Sequence, residues 1–359
     1  MGRTVTDIHT PAERTSQRIR TEKRLRLTLW RFFAVAAMLR HAAELIAAQG
    51  GTAGWWLTCL CMLPGLLIYG ILAFLLRICR CRSIPALAET LLGKHGRRFV
   101  MLITSAVLAV EGVTSLAALT TVFVDGVGTA VSGTVFAASA AAVLCLCTER
   151  DGLLYGVGLL RWVLGAFAAL ILFNTLVQVR FDHLCPPGGD GPASWLETVR
   201  AWWSLGWPVI LLLYEEAPEQ ESRGWMIPPG ITVCAALALC LALPHELLTL
   251  PRTLAERLLL PGLCLEPGNR VLLMCLWTAG MGLAAVISAV RAAEWMTYPE
   301  SNAAKWLPRV LIALYAAVHL AGMDALETWL DALDGWLLAP FALLAAICVP
   351  ITWFRRKNT

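Results

Sequence analysis

Apolar residues in this chain run in long stretches separated by short polar segments, and about ten stretches approach membrane-spanning length. Backbone groups inside a bilayer must bond within their own segment, so each stretch is predicted to be a helix. The predicted spans, numbered 1 to 10, cover about residues 29–48, 55–76, 100–124, 131–147, 154–177, 202–214, 227–243, 271–290, 306–321 and 336–354. The pattern predicts an all-α polytopic membrane protein: a tail over residues 1–28, a single domain of about ten transmembrane helices over 29–354, and a tail over 355–359.

The charges between the spans predict an orientation. Both tails and the segment between spans 2 and 3 are basic, and the positive-inside rule therefore predicts that both termini are cytoplasmic. The segments after spans 3 and 9 lack Lys and Arg and hold Asp125, Asp324, Asp331 and Asp334, as expected of outer segments. The segment before span 8 is an exception and marks where a miscounted span is expected, since it carries Arg252, Arg257 and Arg270.

Composition agrees with a membrane domain. Of the 359 residues 58% are hydrophobic and 15% are charged, and the mean hydropathy is +0.67. The net charge of +4 is small, and basic residues concentrate before span 1. No apolar signal core precedes them, so no cleaved signal is expected. A cytoplasmic, lipid-facing tail explains these charges better than nucleic-acid binding does.

Most of the twelve cysteines lie inside predicted spans, where they are expected to act as small apolar packing residues. The C-x-C pairs at 59/61, 79/81 and 145/147 lack the ligand sets of a zinc site, so no metal site is predicted. Cys185 and Cys264 fall in two predicted outer loops. A disulfide between them is left open by the sequence.

The basic segment between spans 2 and 3 is predicted to contain a short helix. Ser83 can cap it, Pro85 suits its first turn, and Gly93 follows its last residue, Leu92. One apolar and one basic face favour a cytoplasmic helix lying on the membrane. On the outer side, Pro-interrupted short helices are predicted over residues 246–260.

Ionisable residues inside spans are costly in a bilayer and are therefore candidates for a site. In span 1, Arg40 and Glu44 can pair with each other at i,i+4, or Arg40 can receive a ligand carboxylate through its guanidinium fork. Their neighbour His41 is either a packed residue or a proton relay. In span 3, Glu111 is followed by two hydroxyls on the same helix face, and it either binds an amine or a proton or pairs with a cation such as Arg40 or Arg161. Those hydroxyls belong to Thr114 and Ser115.

Span 6 is predicted to be broken near its middle. Gly206 is conformationally permissive and Pro208 cannot continue the hydrogen-bond ladder, so backbone N–H groups around Trp207 could hold an anionic ligand. The alternative is a simple proline kink.

In span 8, Gly280 and Gly282 permit close helix packing, and Trp277 is a candidate wall of a pocket.

The sequence holds no H-E-x-x-H, no G-x-S-x-G and no Gly-rich phosphate loop. Its six histidines are scattered, with no evident pairing of a nucleophile and a base. No catalytic residue and no cofactor are predicted, and the chain is expected not to be an enzyme.

Several ordered features make the chain resemble the B subunits of bacterial spore germinant receptors (the GerAB type), of the amino acid–polyamine–organocation permease superfamily. A Gly-Trp-Trp opens span 2 at residues 54–56, and Ser-Ile-Pro-Ala and Leu-Gly-Lys precede span 3 at 83–86 and 92–94. An outer loop then leads to Gly-Trp-Pro at 206–208, with Tyr-Glu at the end of span 6 at 214–215, and residues 270–277 open span 8. The resemblance extends over most of the chain, from span 1 to span 10.

This resemblance implies a permease-like (LeuT-like) bundle with a five-plus-five inverted repeat. It implies a mid-membrane site between spans 1, 3, 6 and 8 for a small germinant such as an amino acid. It also implies partners in the spore inner membrane, an A-type subunit and a lipoprotein C-type subunit, which would read ligand binding and trigger germination.

Span 1 departs from the family pattern, because residues 36–48 contain no glycine or proline at which the helix could unwind. Either Arg40 replaces the usual carboxylate-binding backbone, or the pocket has changed or been lost. A proton-coupled amino-acid transporter using Glu111 or His41 is the main alternative function. A structural subunit with a vestigial pocket is a third.

Overall fold

The structure is a computed structural model. It describes residues 11–49, 54–127, 133–149, 152–154, 156–158, 161–163, 165–166, 195–214, 224–242, 267–297, 302–320, 329–330 and 332–357. All regular secondary structure within these ranges is helical. The predicted outer helices over 246–260 and the Cys185–Cys264 pair lie outside the described residues, as does most of span 5.

Nine α-helices and two 3-10 segments can be bounded in the described ranges. The helices are α1 (Pro11–Gln49), α2 (Gly54–Ile78), α3 (Ile84–Val127), α4 (Gly133–Leu146), α5 (Trp195–Ser204), α6 (Ile227–Ala242), α7 (Pro267–Met296), α8 (Asn302–Leu320) and α9 (Ala339–Lys357). The 3-10 segments are Trp207–Leu213 and Gly224–Met226.

Four helices among the described residues are long and apolar enough to cross a membrane, and they coincide with predicted spans 2, 3, 8 and 10. The helical stretches that contain these candidate spans are Gly54–Ile78, Ile84–Val122, Met274–Met296 and Ala332–Phe354. Shorter apolar helices coincide with spans 4, 6 and 7. The all-α class and the membrane-spanning character therefore agree with the sequence, whereas the count of ten and the inverted repeat stay predictions.

Helix α1 runs without interruption through predicted span 1 and begins well inside the predicted tail. Its apolar stretch is continuous with basic turns in which Arg26 donates to Glu22 one turn earlier, at 2.5 Å. The absence of glycine and proline from residues 36–48 thus gives an unbroken helix, as the sequence indicates.

A helix break occurs where Gly93 was expected to end the short cytoplasmic helix. Gly93 has φ 77° and ψ −175°, a conformation that side chains with a Cβ rarely adopt. The expectation that this helix lies on the membrane was wrong for its apolar face: Ile84, Leu87, Ala88 and Leu91 are buried in the protein core. The basic residues that follow Gly93 are exposed, so only the polar side faces outward.

The predicted break in span 6 is confirmed. Helix α5 ends at Ser204, and after Gly206 the chain continues as a 3-10 segment with Pro208 in its first turn. Glycine is needed here for space rather than for its dihedral angles, because a Cβ on Gly206 would lie 2.6 Å from the Cα of Gly65 in α2. The break therefore packs directly against the backbone of span 2.

Six aromatic side chains from four elements form a closed circuit of ring contacts in the core, named here the aromatic cluster. The neighbouring ring centroids lie 4.9 to 6.5 Å apart, within the range of favourable aromatic pairs. In order around the circuit the members are Trp30, Phe33, Trp207, Phe341, Tyr214 and Trp295. The cluster ties α1 to the 3-10 segment, α9 and α7.

Candidate functional site

The most polar region of the described interior is built around Arg40, which α1 carries on its buried face. Its side chain is 2% exposed although it lies in an apolar helix. A guanidinium has five N–H donors and cannot lose its charge, so burial requires acceptors for all of them.

Three carboxylates supply those acceptors. Glu111 on α3 accepts from Nε at 3.2 Å and from Nη2 at 3.0 Å, and Asp334 accepts from Nη1 at 3.0 Å and Nη2 at 2.8 Å. Glu44 accepts the remaining bond from Nη1 at 2.8 Å. Two of the carboxylates are thus bound bidentately, the strongest geometry for this pair of groups. We call Arg40, His41, Glu44, Glu111 and Asp334 the charged cluster.

Asp334 is the member that the sequence analysis missed. It was expected in a polar outer segment after span 9, but it is a buried residue within the apolar helical stretch Ala332–Phe354. Its partner Arg40 is 294 residues away in the chain. In the sequence Asp334 is one of several acidic residues between spans 9 and 10, a pattern that fits a loop equally well.

The exposure of the carboxylates differs sharply within the charged cluster. The side chain of Glu44 is 52% exposed, that of Asp334 is 11% exposed, and that of Glu111 is fully buried. Glu44 lies one turn after Arg40 on α1, toward the C-terminal end of that helix. The cluster is therefore accessible at its Glu44 end and closed at Glu111.

His41 lies between the accessible and the closed carboxylates. Its Nε2 is 3.2 Å from Oε2 of Glu111, and its Nδ1 is 3.7 Å from an oxygen of Glu44 and 3.7 Å from an oxygen of Asp334. The Nη2 of Arg40 is 3.1 Å from the same Nε2. The imidazole is therefore surrounded by the four other members of the cluster.

Two hydroxyls on α3 complete the polar surroundings. Ser115 donates to Oε1 of Glu111 at 3.2 Å, and the Thr114 hydroxyl lies 3.4 Å from Oδ1 of Asp334. Thr114 also bonds the carbonyl of Val110 in its own helix at 3.1 Å. These contacts orient the two carboxylates that bind Arg40 bidentately.

The charges in the cluster do not balance. Three carboxylates face one guanidinium, so the cluster carries a formal charge of −2 when His41 is neutral and −1 when it is protonated. Excess negative charge in an apolar interior is unfavourable unless a cation or protons compensate it. The cluster is accordingly suited to receive positive charge.

A metal ion is one cation that could compensate the negative charge. Three members of the cluster place one ligand atom each within 4.8 Å of one another: His41, Glu44 and Asp334. Arg40, however, already donates to both of these carboxylates. A metal ion would therefore compete with the guanidinium for these oxygens, and the absence of a metal site stays a prediction.

The other predicted site residues lie apart from the charged cluster. Trp207 makes an edge-to-face contact in the aromatic cluster with Phe33. Phe33 precedes Arg40 by seven residues, or about 10 Å along a helix axis. Gly206, Trp207 and Pro208 are all buried. The indole N–H of Trp207 has no acceptor among the described residues, which leaves a buried donor beside the helix break.

Trp277 also has a packing contact of its own. Its Nε1 donates to the carbonyl of Ala118 on α3 at 3.3 Å. Farther along the same two helices, Ser105 bonds the carbonyl of Ala292 at 3.4 Å.

The structure thus joins six predicted site residues in the charged cluster and its surroundings, and places the span 6 residues and Trp277 elsewhere. Whether any of them binds a ligand stays a prediction.

Comparison with known proteins adds no assignment. No protein-family model matches the sequence, and no curated protein matches it.

Proposed function

We propose that this chain is the integral membrane subunit of a spore germinant receptor of the GerAB type, and that it binds a small ligand bearing an amino group, such as an amino acid. The ordered motifs along the sequence support the family, and the charged cluster supports the ligand class. The motifs and the charged cluster are independent lines of support.

The observation that carries the ligand class is the excess of carboxylates around Arg40. An ammonium group offers one positive charge and three donors, which suits oxygens of Glu44 and Asp334 at the accessible end of the cluster. In the apolar interior this charge compensation is worth more than at a protein surface. A ligand amine is therefore favoured over a ligand that is only an anion.

In this proposal Arg40 does not receive the ligand carboxylate, the role that the sequence left open for it. All five of its N–H donors are engaged by carboxylates of the protein, so a ligand carboxylate would have to displace Glu44 or Asp334 to reach it. Arg40 then holds the carboxylates in place for the amine.

In this proposal the ligand acts by shifting a conformational equilibrium. Binding that is tighter in one arrangement of the spans raises the population of that arrangement, and the A-type and C-type subunits respond to it. The subunit would lie in the spore inner membrane with both termini cytoplasmic, as the loop charges predict.

Thermal unfolding of the purified protein with three matched small molecules tests the ligand class. Alanine and ethylamine should raise the unfolding temperature, and propionate should not, because a ligand of the folded state stabilises it by mass action. Asp334→Asn should remove the shift, whereas Glu89→Gln in the exposed Arg97 ion pair should retain it. Stabilisation by propionate alone would contradict the proposal. The receptor assignment is tested separately, by copurification with an A-type and a C-type subunit.

A proton-coupled amino-acid transporter is the second candidate, favoured by the contact between His41 and the buried Glu111. Uptake of labelled amino acid into proteoliposomes along a proton gradient separates the two. Uptake by the chain alone supports the transporter, and binding without uptake supports the receptor subunit.

A further inference from the structure

We propose that His41 is a proton relay between the half-exposed Glu44 and the buried Glu111, so that the charged cluster exchanges protons with water on the side that Glu44 faces. The inference rests on the proposed function only in placing these helices in a membrane, and it requires neither a ligand nor partner subunits.

The two ring nitrogens of His41 face different carboxylates. Nε2 is within hydrogen-bond distance of Glu111, at 3.2 Å, and Nδ1 faces Glu44 at 3.7 Å. The second distance must shorten to about 3 Å before a proton can pass. Glu44 is exposed enough to make this adjustment by changing its rotamer, whereas Glu111 is held by Arg40 and Ser115.

The relay starts from the tautomer of the neutral imidazole that carries its proton on Nε2, one of the two that the contacts of this nitrogen with Arg40 and Glu111 allow. Because the five guanidinium donors already have carboxylate acceptors, Nε2 does not need to accept from Nη2. The favourable hydrogen bond for Nε2 is then donation to Glu111. Nδ1 is left with a lone pair directed toward Glu44 and Asp334, as a proton acceptor should be.

The transfer can be written with all protons accounted for. Glu44 takes a proton from water and passes it to Nδ1, which breaks the O–H bond at Glu44 and forms an N–H bond. The proton on Nε2 then moves to Oε2 of Glu111. Glu44 is again ionised, Glu111 is neutral, and the imidazole is neutral in its other tautomer. The ring returns to its first tautomer when the transfer reverses: Glu111 gives its proton back to Nε2, and Nδ1 gives its proton to Glu44 and so to water.

The charged groups that face His41 determine how readily the ring takes up a proton. Arg40 opposes protonation of the ring, and Glu44, Glu111 and Asp334 favour it. Each proton that the cluster takes up removes one of its excess negative charges. On the other side of Arg40, the preceding turns of α1 carry Trp30 and Phe33, which are buried in the aromatic cluster. Glu44 is the most exposed carboxylate of the cluster, so the exchange with water runs through its side.

Time-resolved infrared spectroscopy after a pH jump tests the relay in the ligand-free protein. The carboxyl band of protonated Glu111 is assigned by its loss in Glu111→Gln, and its rate of appearance is measured. His41→Gln and Glu44→Gln should each slow it by about 10²-fold, the usual contribution of a positioned acid–base group. His95→Gln, at an exposed histidine, should leave the rate unchanged.

Chemical rescue separates a relay from a packing role. Free imidazole should restore the rate in His41→Ala, and Glu44→Gln gives a second test at an exposed position if that variant does not fold. An unchanged rate in both His41→Gln and Glu44→Gln would overturn the relay, as would a Glu111 that never becomes protonated. These results leave the ligand test unaffected, since no amine is present.

Discussion

Arg40 and Asp334, 294 residues apart, are joined by two parallel N–H···O bonds of 3.0 and 2.8 Å within the buried interior. The bonds connect the first described helix to the beginning of the last spanning stretch. Because a bidentate pair fixes both distance and orientation, this contact sets how the two ends of the domain meet.

Loss of Arg40 should be strongly destabilising. Arg40→Ala leaves three carboxylates without their cation, and we expect a loss of about 3–5 kcal/mol in the free energy of unfolding. Arg40→Lys should recover little of this free energy, because an ammonium has three donors on one atom and cannot bind two carboxylates bidentately. Denaturation of the purified variants in detergent measures both. Arg97→Ala, which breaks an exposed pair with Glu89, is the control and should cost about 0–1 kcal/mol. Equal losses in all three variants would contradict this account of the cluster.

The two glutamates around Arg40 should differ in their importance for folding. Glu111 is fully buried and binds Arg40 through both oxygens, so Glu111→Gln should cost about 3 kcal/mol or more. Glu44 is half-exposed and binds through one oxygen, so Glu44→Gln should cost about 1 kcal/mol or less. The same unfolding measurement applies. A larger loss for Glu44→Gln would mean that Glu44 is enclosed in the folded protein.

Close approach of α2 to the break in span 6 predicts a contrast between two glycines of one helix. A Cβ at Gly65 would lie 2.5 Å from the carbonyl carbon and oxygen of Gly206, and backbone cannot move aside cheaply. Gly65→Ala should therefore lower stability by about 1–3 kcal/mol. Gly70→Ala has no heavy atom within 4 Å of the added methyl group and should be neutral or slightly stabilising. A neutral Gly65→Ala would show that span 2 and the break are farther apart.

The burial of Trp207 predicts the result of thiol labelling at the break. In a background whose exposed cysteines are replaced by serine, Trp207→Cys should not react with a water-soluble maleimide without ligand, because the position is fully buried. Arg82→Cys, in the exposed basic turn, should react completely. Mass spectrometry of the intact protein counts the added groups. Rapid labelling of Trp207→Cys would show that the break already lines a water-filled cavity.

Local features of the fold were readable from the sequence, because glycine, proline and helical spacing act within a few residues. Gly93 and the Gly206–Pro208 break fall where their backbone chemistry requires, and the i,i+4 pairing of Arg40 with Glu44 follows from helix geometry. Glu111 was recognised as a site candidate because an ionisable residue inside an apolar stretch is costly in a bilayer.

Contacts between distant segments were not readable. An acidic residue at the edge of an apolar stretch suits a loop as well as an ion pair, so the sequence placed Asp334 in a loop. The approach of Gly65 to Gly206 and the burial of Leu87 also depend on which helices are neighbours. Spacing along one helix carries no such information.

The closed circuit of the aromatic cluster restricts how the bundle can change shape. A closed loop of contacts cannot be divided into two groups by breaking one of them, so any rocking of α1 against α7 must separate at least two ring pairs at once. At about 0.5–1.5 kcal/mol for each pair beyond its buried area, this adds about 1–3 kcal/mol to the first step of the movement. The ring contacts therefore oppose the start of any movement of α1 relative to α7.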